Sequence, residues 1–187
     1  MKQIIIFEGV ASSGKTTLEK MLLNKLPDPI LIDETETLMP LIDNRDVTQS
    51  ISYLNKILEK IETLKQENII LDRFHFTHAF RTHSTLASFQ EIEQRLNKYS
   101  TLVVLLTIPE EQIPDRIRET IAQRGDHWAK GKQGTLEERV AYYQNQQIYL
   151  KNLCGQTTLP HIKIDTSDKN WERCAEEIEK AVLRIIK

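Results

Sequence analysis

Five short runs of apolar and β-branched residues divide the chain: QIIIF at 3–7, PILI at 29–32, NIIL at 68–71, TLVVLL at 101–106 and HIKI at 161–164. Runs of this length, mostly without polar alternation, read as strands buried on both faces. The stretches between them carry apolar residues at three- and four-residue intervals, which predicts helices over 16–26, 47–66, 86–98, 110–123, 136–153 and 171–186. In 47–66, for example, Ile51, Leu54, Ile57, Leu58, Ile61 and Leu64 fall on one face. Alternating strand and helix predicts an α/β protein: a five-stranded parallel sheet with right-handed crossovers that place helices on both faces, three layers in all. Ligands of such sheets bind beyond the carboxyl ends of the strands, here at Glu8, Asp33, Asp72, Thr107 and Asp165.

A length of 187 residues suits one domain spanning 1–187, and 40% hydrophobic with 28% charged residues is ordinary globular usage. The 25 Lys and Arg against 27 Asp and Glu give a net charge of -2. No global field therefore draws the protein to a nucleic-acid polymer or an anionic membrane, and any phosphate binding must be local. No stretch approaches the ~20 apolar residues of a membrane span. The N-terminus runs directly into the first strand, so the cytoplasm is the expected location. Cys154 and Cys174 lie in helical segments and read as reduced core thiols. Residues 124–135 hold three glycines and several cations, and read as a mobile connection within a lid region near 116–135. The sequence leaves the assembly open and allows a homodimer.

The first strand leads into FEGVASSGKTT, residues 7–17, in which Gly9, Val10, Ala11, Ser12, Ser13, Gly14, Lys15 and Thr16 fit G-x-x-x-x-G-K-[ST]. Between a strand and a helix this pattern has a mechanism. Successive main-chain amides and the helix N-terminus form an anion cradle, and the glycines let the backbone approach. Lys15 is expected at the β- and γ-phosphates of ATP and the Thr16 hydroxyl in the coordination shell of Mg²⁺, with Ser13 and Thr17 as further phosphate donors. Asp72 and Arg73 end the third strand at the ligand edge. Asp72 can hold a magnesium water or accept a proton, and Arg73 can grip an anionic acceptor; the plainer reading is a local salt bridge. Glu34, after the second strand, is a candidate general base or a solvated loop acid. Transfer of a phosphoryl group needs a cation over the moving charge, and Arg118 and Arg124 lead the candidates, with Arg116 beside them and Lys130 and Lys132 further on. His75, His78 and His83 lack the spacing of a metal site and read as surface or acceptor-pocket residues.

The stretch FEG-x-x-x-S-G-K-T-T resembles the start of the thymidylate kinase and deoxynucleoside kinase group of P-loop kinases, with Ser12 where those families carry Gly and Ala11 where thymidylate kinases carry an acid. Asp72-Arg73-Phe74 resembles the D-R-(Y/F/H) motif whose Arg contacts the acceptor phosphate, and Arg81 stands where the family has a pyrimidine-reading Gln. Glu34 is similar in position to the catalytic Glu of deoxynucleoside kinases. Pro109-Glu110 followed by Arg116-Ile117-Arg118, the tyrosines 142, 143 and 149, and Asp165-Thr166-Ser167 are also similar to this group. The resemblance implies an ATP- and Mg²⁺-dependent phosphotransferase, a cytoplasmic P-loop kinase acting on a nucleoside or nucleoside monophosphate. The alternatives are a P-loop kinase of a sugar acid, shikimate-like compound or antibiotic, and a regulatory NTP-binding switch. The partner expected is a small-molecule phosphate acceptor, with no nucleic acid and no membrane.

Overall fold

All seven residues of β1 (Gln3–Gly9) are buried, and the strand pairs on both sides. The structure, a computed structural model, describes residues 2–124 and 134–185. β2 (Pro29–Ile32), β3 (Asn68–Asp72), β4 (Ser100–Thr107) and β5 (His161–Asp165) complete a sheet of order β2-β3-β1-β4-β5. Every pairing is parallel, as the apolar runs predict. The described helices are α1 (Lys15–Lys25), α2 (Glu34–Thr37), α3 (Val47–Thr63), α4 (His75–Thr82), α5 (Gln90–Leu96), α6 (Ile113–Arg124), α7 (Leu136–Gln156) and α8 (Trp171–Ile185).

Strand alternation sorts the core into two layers. Ile5 and Phe7 face Leu18 and Leu22 of α1 and Ile178 and Val182 of α8. Ile4 and Ile6 belong to the opposite layer, with Leu54 and Leu58 of α3, Ile92 of α5 and Leu150 of α7. This is a three-layer α/β arrangement. A third, smaller cluster joins Val10 and Ala11, just past β1, to Ile113, Ile117 and Ile121 of α6 and to Tyr143 of α7. The side-chain amide of Gln147 clamps the end of β4 to α7, accepting from Ile108 N at 2.8 Å and donating to Ile108 O at 2.7 Å.

Several boundaries differ from the sequence reading. Residues 86–98 form a 3₁₀ turn (Leu86–Phe89) followed by α5, because Leu86 and Phe89, three apart, both bury. The helix expected over 110–123 likewise begins with a 3₁₀ turn, Glu110–Gln112. The third strand, expected to end at Asp72 and Arg73, stops at Asp72, and α4 follows almost at once. Glu8 holds that junction: its buried carboxylate accepts from Phe74 N at 2.9 Å and Thr77 N at 3.2 Å, capping the start of α4 with a negative charge. Both cysteines are free and buried, as expected.

Candidate active site

The loop from Gly9 to Gly14 turns the chain from β1 into α1. Gly9 (φ 149) lies so close to β4 that a Cβ would stand 2.8 Å from Leu106 O, and Gly14 (φ 94) faces the Trp171 ring, 2.4 Å from where its Cβ would be. Neither position accepts a side chain. Ser12 also has positive φ, 68, which costs a non-glycine residue about 1–2 kcal/mol. Ala11, Ser12, Gly14, Lys15, Thr16 and Thr17 line a cleft of about 600 Å³. Val10 does not: it is wholly buried against α6. The Ser13 hydroxyl is also turned under the loop, 2.8 Å from where a Gly9 Cβ would stand and without a hydrogen-bond partner. Ser13 thus sits below the cradle, not in the cleft wall.

Lys15 Nζ is buried and donates to Gly9 O and Val10 O, both at 3.2 Å. Burial, with the Arg73 charge next, lowers its pKa to about 8. Such an ammonium, buried among loop carbonyls, is suited to an incoming polyanion. Register brings β3 into the same place: Asp72 pairs with Phe7, two residues before Gly9. Arg73 follows in the left-handed region (φ 63), held by its N–H to Phe7 O at 2.8 Å. Its Nη1 donates to Gly9 O at 2.9 Å and its Nε to Glu34 Oε2 at 3.0 Å. Glu34 starts α2, whose N-terminus Asp33 caps by accepting from Thr35 N. Glu34, Asp72 and Arg73 therefore reach one wall of the cleft from two strands.

Glu19, which the sequence reading passed over, lies beneath them. It is 1% exposed, one turn along α1 from Lys15. Its Oε1 and Asp72 Oδ1 are buried and receive no hydrogen bond from any N–H or hydroxyl among the described residues. Burial first, then the Asp72 charge, push the Glu19 carboxyl up to about 8. A carboxylic acid there can share its proton with Asp72.

The opposite wall is α6, which presents Arg116, Glu119, Thr120, Gln123 and Arg124 to the cleft. Arg116 donates to the Thr166 and Ser167 carbonyls and stacks 5.9 Å above the Trp171 ring. Arg118 stands elsewhere: its side chain is exposed, pairs with Asp115 at 2.6 Å and is not part of the cleft lining. The reason is helical phase, since 116, 120 and 124 share a face that 118 does not. Thr120 Oγ1 lies 2.6 Å from Ser12 Oγ, and Lys169 pairs with Glu119 at 2.6 Å. Counted over its lining, the cleft holds five Lys or Arg against three Asp or Glu, a local cationic surface on a chain of net charge -2. Gly125, Lys130 and Lys132 of the expected lid lie outside the described residues.

Beside Arg73, α4 contributes a largely buried surface. His78 Nε2 is 2.8 Å from Thr37 O, and burial pushes its pKa down to about 4, so it is a neutral structural ring. His75 is buried facing Glu93 at 3.5 Å. His75 and His78 are thus core residues rather than the surface or pocket groups expected. Among the described residues no group of three or more His, Cys, Asp or Glu could hold a metal. Mg²⁺, which keeps most of its waters, asks for less, and Thr16 and Asp72 on one cleft suit it. Phe80 stacks edge-on against Tyr142 (5.4 Å) and Tyr149 (5.5 Å), with Arg81 next in the chain.

No protein-family model and no curated protein matches the sequence. Solved structures do match over nearly the whole chain. The YorR protein of Bacillus subtilis, solved in complex with phosphorylated GDP, is 19% identical, with a TM-score of 0.70 over 96% of this chain and 95% of its own. A gluconokinase from Sinorhizobium meliloti is 14% identical (TM-score 0.62, 98% and 93% covered). The thymidylate kinase of Candida albicans is 17% identical (TM-score 0.58, 98% and 92% covered). At these identities the likeness shows the fold alone, an α/β fold shared with solved kinases.

Proposed function

We propose that the protein is an ATP-dependent phosphotransferase that moves the γ-phosphate of Mg·ATP to a nucleoside or nucleoside monophosphate. The observation that carries this reading is the convergence of Lys15, Asp72, Arg73, Arg116 and Arg124 on a single cleft floored by the phosphate loop. Lys15 would exchange its loop carbonyls for phosphate oxygens, a trade favoured by its burial. Thr16 and Asp72 would hold Mg²⁺, directly or through its waters; bound there, the ion neutralises charge on the phosphates. Glu34, fixed by Arg73, would take the proton of an acceptor hydroxyl as its oxygen bonds to phosphorus and the bond to the β-phosphate oxygen breaks. Arg73 would orient an anionic acceptor, and Arg116 and Arg124 would face the moving charge from α6. The fold shared with YorR, solved with a phosphorylated guanine nucleotide, supports a nucleotide at such a cleft.

The test is a single-turnover assay with γ-labelled ATP against nucleosides, nucleoside monophosphates, gluconate and shikimate. Label on a nucleoside or monophosphate is the expected outcome. Label only on the sugar acid or shikimate would replace the acceptor class, and label on none would remove the kinase reading.

A further inference from the structure

Ser12 accepts a left-handed backbone at the cleft rim and places Oγ 2.6 Å from Thr120 Oγ1 of α6, across 108 residues of chain. Thr120 Oγ1 also donates to Arg116 O at 2.9 Å. A threonine hydroxyl has a single proton, so in the contact between the two hydroxyls Ser12 donates and Thr120 accepts. The pair therefore has one direction and one geometry. Under it, Val10 and Ala11 pack on Ile113, Ile117 and Ile121. That apolar contact holds the helix against the loop, but dispersion between aliphatic surfaces is non-directional and does not select one axial position. A short hydrogen bond does. Thr120 lies one turn from Arg116 and one turn from Arg124, on the face that lines the cleft.

We infer that Ser12 and Thr120 are a positioning pair: their hydrogen bond sets the register of α6 on the phosphate loop, and with it the placement of Arg116 and Arg124 over the transferring group. Neither hydroxyl touches reacting atoms in this role. The kinetic consequence rests on the kinase reading; the register itself does not.

Four variants test it: Thr120→Val, which keeps the shape and removes the bond, Thr120→Ser, Ser12→Ala, and the double variant S12A/T120V. Thr120→Val should lower kcat about 10- to 100-fold, as a misplaced catalytic group does, while the Kd for Mg·ATP stays within about twofold. Thr120→Ser should restore most of the rate, and the double variant should be no slower than the slower single one. Unchanged kcat in Thr120→Val, or losses that multiply in the double variant, would overturn the pair. If the wild-type protein labels no acceptor, the kinase reading falls and hydrogen exchange decides the register alone. Faster exchange across 9–14 and 113–124 in Thr120→Val than in Thr120→Ser sustains it; equal exchange removes it.

Discussion

Glu34 Oε2 stands 3.0 Å from Arg73 Nε, so the acid after β2 and the base after β3 meet as an ion pair at the mouth of the cleft. The Arg73 side chain is 10% exposed and the Glu34 side chain 44%, so the pair has a buried cation and a solvent-facing acid. Glu34→Gln keeps a hydrogen-bond acceptor for Arg73 but cannot take a proton. With a hydroxyl acceptor it should lower kcat by about 10²- to 10⁴-fold, the usual worth of a general base, and leave Mg·ATP affinity in place. Steady-state kinetics with calorimetry checks this. An unaltered kcat would reduce Glu34 to a tether for Arg73.

Lys15, with a pKa lowered to about 8, is partly neutral near that pH, whereas a bound triphosphate favours its charged form. Nucleotide binding should then take up protons from solution, increasingly so as the pH rises toward 8. Calorimetry in buffers of different ionisation enthalpy measures the uptake, which should vanish in Lys15→Ala. That variant should also lose about 10²- to 10³-fold or more in turnover while remaining folded.

The Glu19 carboxyl gives stability a distinctive pH dependence. Its pKa rises from 4.5 to about 8 on folding, so between those values the folded chain keeps a proton that the unfolded chain releases. Stability should fall as pH rises through this window, by at most about 1.4 kcal/mol per pH unit. Lys15 acts in the opposite sense at higher pH. Its folded pKa is about 8 and its ordinary value 10.5, so between them the unfolded chain holds the extra proton and stability recovers. Urea unfolding across this range should show the decline in the wild-type protein and a flattened profile in Glu19→Gln.

Two arginines two residues apart should separate cleanly. Arg116→Ala removes the guanidinium that bonds Thr166 and Ser167 and covers Trp171, and should lower turnover about tenfold or more. Arg118→Ala breaks an exposed i,i+3 pair with Asp115, away from the cleft lining, and should leave turnover within about twofold. Equal losses in the two variants would argue that α6 turns in the working enzyme.

Much of this was legible in the chain. Parallel strands buried on both faces must be apolar throughout, so Ile4–Phe7 and Leu102–Leu106 identify themselves, and the glycine spacing of the loop follows from its backbone geometry. α4 was not legible, because HFTHAFRT is short and rich in weak helix formers, and its N-terminus is capped by Glu8, far upstream. Glu19 reads as an ordinary polar residue of α1 until the β1–β3 register sets Asp72 against it. The hydroxyl contact of Ser12 hides for a similar reason. The motif leaves that position unspecified, and its partner is a threonine on a distant helix.

The indole of Trp171, pressed against Gly14, makes the molecule its own optical gauge. With the second tryptophan, Trp128, changed to phenylalanine, emission from this one ring would register whatever settles on the loop. Donor occupancy could then be followed in real time, without label and before any acceptor is known.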